Sequence, residues 1–356
     1  MSQSLFHKFL TDLDDPDTTL ASDGTSSAEF SGYIDTGSYA MNAVLSGSIY
    51  KGMPNNKALI LAGETTTGKT FYALALVKAF LTQNPTGHVV YFDTESAVTN
   101  EMMIDRGIDI TRVAKSEPES IEKFRTVCKR MLDRYLEIPE ASRFPMLMIL
   151  DSLSALPSNK ETVDITDGKD TRDMTKSQLI KGAFRVLRLR LAKANVPLII
   201  TNHIYAVIGA YMPTKELAGG SGAKYAADTI VMLTKRKERD GEKTIVGNII
   251  TATATKSRLT KENSRAETRI LYDGGLDKYY GLLDHAVEAG IVKKVGNKYE
   301  FPTGVKAFET AIQKTPEKFW TPDVLDALDV YIQKQFKYQS ALDVSVEEIE
   351  EMTDDE

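Results

Sequence analysis

The stretch Gly63-Glu64-Thr65-Thr66-Thr67-Gly68-Lys69-Thr70 constrains this chain more than any other. It follows the apolar run Ala58-Leu59-Ile60-Leu61-Ala62 and precedes Phe71-Tyr72-Ala73-Leu74-Ala75-Leu76-Val77. Strand, glycine-flanked loop and helix are the context a phosphate-binding loop requires, beyond its letters. In that context the loop's backbone N–H groups point at phosphate oxygens, and the helix N-terminus adds its positive dipole end. Lys69 then reaches the β- and γ-phosphates, and the Thr70 hydroxyl holds Mg²⁺. A chance glycine turn would lack the strand before it and the helix after it. The expected ligand is a nucleoside triphosphate.

At 356 residues the chain has room for one large α/β domain with small appendages. No run approaches the roughly 18 apolar residues of a membrane span, and the first residues lack a charged-then-apolar signal pattern. The single cysteine, Cys128, excludes an intramolecular disulfide and fits a reducing cytoplasm. It shares a helical apolar stripe with Ile121, Phe124, Val127, Met131, Leu132 and Tyr135, which points to packing rather than chemistry.

The net charge of −6 is unevenly spread. Residues 338–356 hold eight acids and no Lys or Arg, and residues 1–35 hold seven acids and one Lys, which leaves residues 36–337 at +8. A basic body between acidic ends suits a polyanionic partner, with tails that compete for the same surface. Tails that only solubilise are the alternative, and charge does not decide between them.

Four segments follow from the pattern. Residues 1–36 form an arm: the amphipathic stretch Leu5-Phe6-His7-Lys8-Phe9-Leu10 and then a polar run, either docking onto another subunit or frayed. Residues 37–278 form the core. The runs 88–93, 146–150 and 197–201 are near-continuously apolar, as buried parallel strands are, and they alternate with helices over 118–136 and 174–194. Runs at 229–234, 247–255 and 268–272 lack intervening helices, so that edge is expected to be antiparallel. Residues 279–340 read as a small α+β subdomain with a helix over 280–288, a hairpin turning at Gly296-Asn297 and two further helices. Residues 341–356 are an acidic tail expected to be disordered.

Three polar positions stand at strand ends. Asp151 ends an apolar strand, where a carboxylate acts on Mg²⁺ through water or orients Thr70; a helix-capping Asp is the alternative. Glu95, in Phe92-Asp93-Thr94-Glu95, stands where a carboxylate aligns an attacking water. His203, after Asn202, is either a γ-phosphate sensor or a strand-end histidine satisfied by its neighbours. Residues 157–172 and 204–222 are polar and unpatterned, a length of loop that is functional or disordered. They and the start of the basic 174–194 helix carry Lys160, Lys169, Arg172, Lys176, Tyr205, Tyr211, Lys215, Gly219 and Gly220. Cations for phosphates and aromatics for bases suit single-stranded nucleic acid. A plain surface loop with half-buried tyrosines is the alternative.

Together these pieces resemble the RecA-type recombinases, and within them the recombinases of T-even-type phages. The likeness rests on Gly63–Thr70, on Tyr91-Phe92-Asp93-Thr94-Glu95 and on Ile149-Leu150-Asp151-Ser152-Leu153-Ser154-Ala155-Leu156. It continues through Gly219-Gly220, Lys224-Tyr225-Ala226-Ala227-Asp228 and Tyr280-Gly281-Leu282-Leu283-Asp284. Met41-Asn42-Ala43-Val44-Leu45-Ser46-Gly47, Asn202-His203 and Lys256-Ser257-Arg258 point to the phage group. It covers residues from about Tyr39 to Tyr299.

The resemblance implies a RecA-like P-loop ATPase core with a mainly parallel twisted sheet flanked by helices. It implies ATP and Mg²⁺, a helical homo-oligomeric filament on single-stranded DNA, pairing with homologous duplex DNA, loader and single-strand-binding proteins, no membrane, and a host cytoplasm. It makes Glu95 the catalytic carboxylate with Lys69, His203 the γ-phosphate sensor, and 157–172 and 204–222 the DNA loops. It places Tyr280 near adenine, and Lys256 and Arg258 on the neighbouring subunit's nucleotide. Met102 stands where relatives carry a tyrosine, which removes one aromatic contact to the base. Two other readings of a RecA-like core stay open here: a hexameric DNA helicase, and an ATPase that does not bind DNA.

Overall fold

The structure, a computed structural model, describes residues 5–13, 15, 18, 20, 32–168, 175–206, 215–240 and 244–338. It opens with helix α1 (Leu5–Leu13), strand β1 (Tyr33–Ile34), helix α2 (Tyr39–Ser46) and β2 (Met53–Pro54). The nucleotide-loop unit follows as β3 (Ala58–Gly63) and α3 (Lys69–Gln83). Next come β4 (His88–Asp93), α4 (Asn100–Ile104), β5 (Val113–Ser116), α5 (Ile121–Leu136) and β6 (Met146–Asp151). Then come α6 (Asn159–Thr166), α7 (Lys176–Ala194), β7 (Leu198–Ala206), β8 (Lys215–Leu217) and α8 (Gly220–Ala226). A meander of β9 (Thr229–Asp240), β10 (Thr244–Lys256), β11 (Arg265–Leu271) and β12 (Gly275–Leu276) follows. The last elements are α9 (Leu282–Glu288), β13 (Lys293–Val295), β14 (Lys298–Glu300), β15 (Lys306–Ala307), α10 (Glu309–Lys314) and α11 (Pro322–Phe336).

The central sheet runs β12-β11-β10-β9-β3-β7-β6-β4-β5, with β8 added to β7. From β9 to β5 neighbours are parallel; β9 through β12 are antiparallel. Every residue of β3 and β6 is buried, because helices cover both faces. The faces separate by the strand period of two. Leu59, Leu61, Tyr91, Leu147 and Ile149 pack with α2 and α3. Ala58, Ile60, Phe92, Met148 and Leu150 pack with α5 and α7. On that second face Cys128 is fully buried and its Sγ lies 3.6 Å from Met148 Sδ; burial pushes its thiol up to about 12.

The elements after residue 279 share the first cluster: Leu282, Phe301, Trp320, Val324 and Leu328 join α2 and α3. Asp329 of α11 accepts Ser48 Oγ at 2.8 Å and Ile49 N at 2.7 Å, which anchors α11 to the loop after α2.

The polar stretches 157–172 and 204–222 hold more regular structure than their pattern suggests. Ser158 and Glu161 form a capping box that starts α6. Gly219 at φ +79° opens α8, and a Cβ at Gly222 would meet Ser177 O at 2.2 Å, so glycine permits α8 to close on α7. Lys169, Arg172 and Tyr211 lie outside the described residues, as does the acidic tail beyond residue 338.

Candidate active site

The loop Gly63–Thr70 turns between β3 and α3 as the sequence requires. A Cβ on Gly63 would fall 2.4 Å from Thr67 Oγ1 and 2.7 Å from Leu233 O, and Gly68 has φ +91°. Both positions therefore need glycine. Thr67 Oγ1 closes the loop by donating to Glu64 O at 2.8 Å. Lys69 Nζ donates to Gly63 O at 3.0 Å and to Glu64 O at 2.8 Å, inside the curve of the loop. Burial holds its ammonium below the usual range, and the Glu95 and Asp151 carboxylates oppose that shift.

Two further lysines hold the loop from outside. Lys215 on β8 pairs with Glu64 at 2.6 Å, and the hydrogen bond and charge of Lys215 lower the Glu64 carboxyl. Lys235 on β9 donates to Thr66 Oγ1 at 2.6 Å, where Thr66 has φ +64°. Lys235 carries no sequence signal beyond its basic run, and Lys215 stood out only as a loop cation.

The strand-end residues converge beside this loop because β3, β7, β6 and β4 are adjacent and parallel. Asp93 and Asp151 are register partners, as are Gly63 and His203. Asp151 is buried and accepts Tyr91 Oη at 2.7 Å and Thr201 Oγ1, so two donors fix its carboxylate. Burial, and then that carboxylate, push the Tyr91 phenol far up. Glu95 Oε1 accepts Ser152 Oγ at 2.6 Å and lies 3.4 Å from His203 Nε2. Neither Ser152 nor Tyr91 was a sequence candidate; their hydrogen bonds cross between strands far apart in the chain.

His203 also connects to the chain beyond β7. Its carbonyl accepts Ala218 N at 2.9 Å, and Asn202 Nδ2 donates to Ala218 O at 2.9 Å. Ala218 follows β8, and β8 ends the segment 207–214. The described nucleic-acid candidates gather at this same end. Lys176 at the start of α7 pairs with Glu161 of α6 at 3.0 Å, and Lys160 is exposed on α6. Tyr205 is 61% exposed on β7, and Gly219 and Gly220 start α8 against Ile180 and Ser177 of α7.

Lys256 and Arg258 lie at the other end. Lys256 Nζ donates to Lys224 O at 2.8 Å and Ala227 O at 2.6 Å; burial, with the Arg188 charge, holds its ammonium down. Arg258 Nε lies 3.1 Å from Asp228 Oδ1, which Arg188 also meets at 2.6 Å, while Asp228 Oδ2 accepts Ala58 N at 3.0 Å. Ala58 begins β3 and Gly63 ends it, so these cations sit roughly 17 Å from the phosphate loop along the strand.

Tyr280 stands apart from both groups. Its ring lies 4.8 Å from the Arg269 guanidinium and lines a cavity of about 400 Å³ between β11 and the C-terminal elements. No residue of 63–70 lines that cavity.

A phosphate-binding loop before a helix, with strand-end carboxylates on the adjacent parallel strands, defines a P-loop nucleotide-binding core. Residues 19–277 match the family model described as RecA N-terminal domain, and the chain belongs to the RecA family. It is similar to the "Recombination and repair protein" of Enterobacteria phage T4, 34% identical over 257 residues, covering 72% of this chain and 64% of that protein. It is also similar to the "Protein RecA" of Thermotoga maritima, 28% identical over 273 residues, covering 76% of this chain and 72% of the relative. The "Protein RecA" of Malacoplasma penetrans is 24% identical over 253 residues, 70% of this chain and 73% of the relative. The match thus spans just under two thirds of the T4 protein's length. No helix among the described residues is long and apolar enough to cross a membrane.

Proposed function

We propose that this chain is an ATP-dependent DNA recombinase that polymerises as a helical filament on single-stranded DNA and carries out homologous pairing and strand exchange. The observation that carries the proposal is His203. Its side chain is at Glu95 beside the phosphate loop, and its backbone holds Ala218 beyond the 207–214 segment. One residue therefore joins the candidate nucleotide site to the candidate DNA loop. The similarity to the T4 recombination and repair protein supports the same reading.

Lys69 binds the β- and γ-phosphates after leaving the loop carbonyls. Glu95 aligns the attacking water, and His203 turns from Glu95 to the γ-phosphate, which shifts Ala218 and the DNA loop with it. Catalysis here is positioning and charge stabilisation. Thr70 and Asp151 would hold Mg²⁺, which neutralises charge on the phosphates when bound. One hydroxyl and one doubly fixed carboxylate fit a Mg²⁺ that keeps its water and phosphate ligands. No cluster of three or more His, Cys, Asp or Glu suited to a metal exists among the described residues.

Lys256 and Arg258 serve the nucleotide of an adjacent copy, because they lie at the far end of their own sheet. Helix α1 is the arm that docks on another copy: none of its residues is buried, and Phe6 and Phe9 are 58% and 59% exposed.

The test is ATP hydrolysis with and without single-stranded DNA, with assembly followed by light scattering and electron microscopy. DNA-stimulated hydrolysis with ATP-dependent filaments is expected. Closed rings that unwind forks would replace the reading with a helicase, and hydrolysis indifferent to DNA would remove DNA from it.

A further inference from the structure

The loops that follow β4 and β6 are stitched together by side chains. Thr94 N donates to Asp151 O at 2.8 Å, and Thr94 Oγ1 donates to Ser152 O and accepts Ser152 N, both at 2.8 Å. This fixes the backbone of Ser152 against that of Thr94, one residue before Glu95. The Ser152 hydroxyl then donates to Glu95 Oε1 at 2.6 Å, from a residue only 1% exposed. Water does not compete for that bond. Ser154 Oγ lies 2.9 Å from Ser152 Oγ.

His203 Nε2 lies 3.4 Å from the same oxygen of Glu95. The Ser152 hydroxyl and the His203 ring therefore meet at Oε1, while Oε2 has no hydrogen-bond partner among the described residues. The Glu95 side chain is 39% exposed, so water reaches it. If His203 were the sole support of Glu95, its turn to the γ-phosphate would release the carboxylate into free rotation at the moment it must hold a water.

We infer that Ser152 is a positioning residue for Glu95: its hydroxyl keeps Oε1 fixed while His203 exchanges Glu95 for the γ-phosphate, so Oε2 stays directed at the water. This rests on the reading of Glu95 as the water-aligning carboxylate. Ser152 acts through the glutamate.

The experiment is steady-state ATP hydrolysis by the full chain at saturating single-stranded DNA. Ser152→Ala is expected to lower kcat roughly tenfold, the scale of one charge-assisted hydrogen bond. KM for ATP and assembly on DNA with a non-hydrolysable analogue stay unchanged. Ser152→Cys keeps the buried volume with a weaker donor; it falls between the two, and it carries the test if the alanine variant does not fold. Wild-type kcat in these variants would overturn the inference. Glu95→Gln separates the two claims. If it hydrolyses ATP at the wild-type rate, the reading of Glu95 fails. If it is inactive while the Ser152 variants are unaffected, only the role of Ser152 fails.

Discussion

The two ends of the central sheet treat their charges differently. At the end formed by Gly63, Asp151 and His203, polar groups from four adjacent strands point toward one loop. Among the described residues, Lys69 donates there to that loop's own carbonyls. At the end formed by Ala58 and Asp228, three cations are engaged within the chain: Arg188 and Arg258 share one Asp228 oxygen, and Lys256 is held by two carbonyls. The first end is arranged to receive phosphates. The second stores cations about 17 Å away, out of reach of their own loop. On the reading proposed above, a site divided this way is complete only when two copies meet.

Removing the central cation should have the largest effect. Lys69→Ala should lower ATP hydrolysis on the order of 10²–10³-fold, as expected when a preorganised donor at the developing charge is lost. Circular dichroism should show the fold unchanged. Full activity would mean that the loop end is not the reacting end.

Arg258→Ala should come next, with a loss on the order of 10²-fold or more in the DNA-stimulated rate, the scale of a cation that completes a phosphoryl-transfer site from outside. Nucleotide binding by the unassembled protein, measured by fluorescent-analogue titration, should be unchanged. Weaker binding there would place Arg258 on its own loop and collapse the comparison.

Asp228→Ala probes the storage end alone. It leaves Ala58 N–H without its acceptor and two guanidinium groups without their anion. The expected cost is about 1–3 kcal/mol in urea unfolding, with nucleotide affinity preserved. Unfolding at the wild-type midpoint would show that the cations are not held there.

The smallest effect belongs to Glu64→Gln. Its pair with Lys215 is exposed on both sides, so nucleotide affinity should change within about threefold at low salt and not at all in concentrated salt, where screening removes the pair. A larger, salt-independent change would mean that Lys215 couples the loop to β8 more strongly than an exposed ion pair can.

Much of the loop end was legible in the sequence. Strands buried on both faces read as apolar runs, so β3, β4 and β6 could be placed, and Gly63, Asp151 and Glu95 followed from their ends. The storage end was not legible. Asp228 meets Ala58 across 170 positions, and Lys256 and Arg258 read as ordinary strand-end cations without the family likeness. Helix α6 was written in the Ser158–Glu161 capping box, but its lack of an apolar stripe concealed it; none of its residues is buried. The continuation of β9 through Lys235-Arg236-Lys237-Glu238-Arg239 was hidden for a similar reason. Those residues show no alternation, and pairing with β10 holds them in the sheet. Ser152 was visible only as part of a motif, because its partner lies 57 residues away.

The most direct test of a site shared between copies is mixing. Lys69→Ala protein lacks the receiving end, and the Lys256→Ala/Arg258→Ala double variant lacks the stored cations. Each alone should be inactive in DNA-stimulated ATP hydrolysis. Mixed in equal amounts on single-stranded DNA, they should regain a measurable part of the wild-type rate, because some interfaces pair an intact loop with intact cations. A mixture as inactive as its components, while both still co-assemble on the DNA, would contradict the divided site.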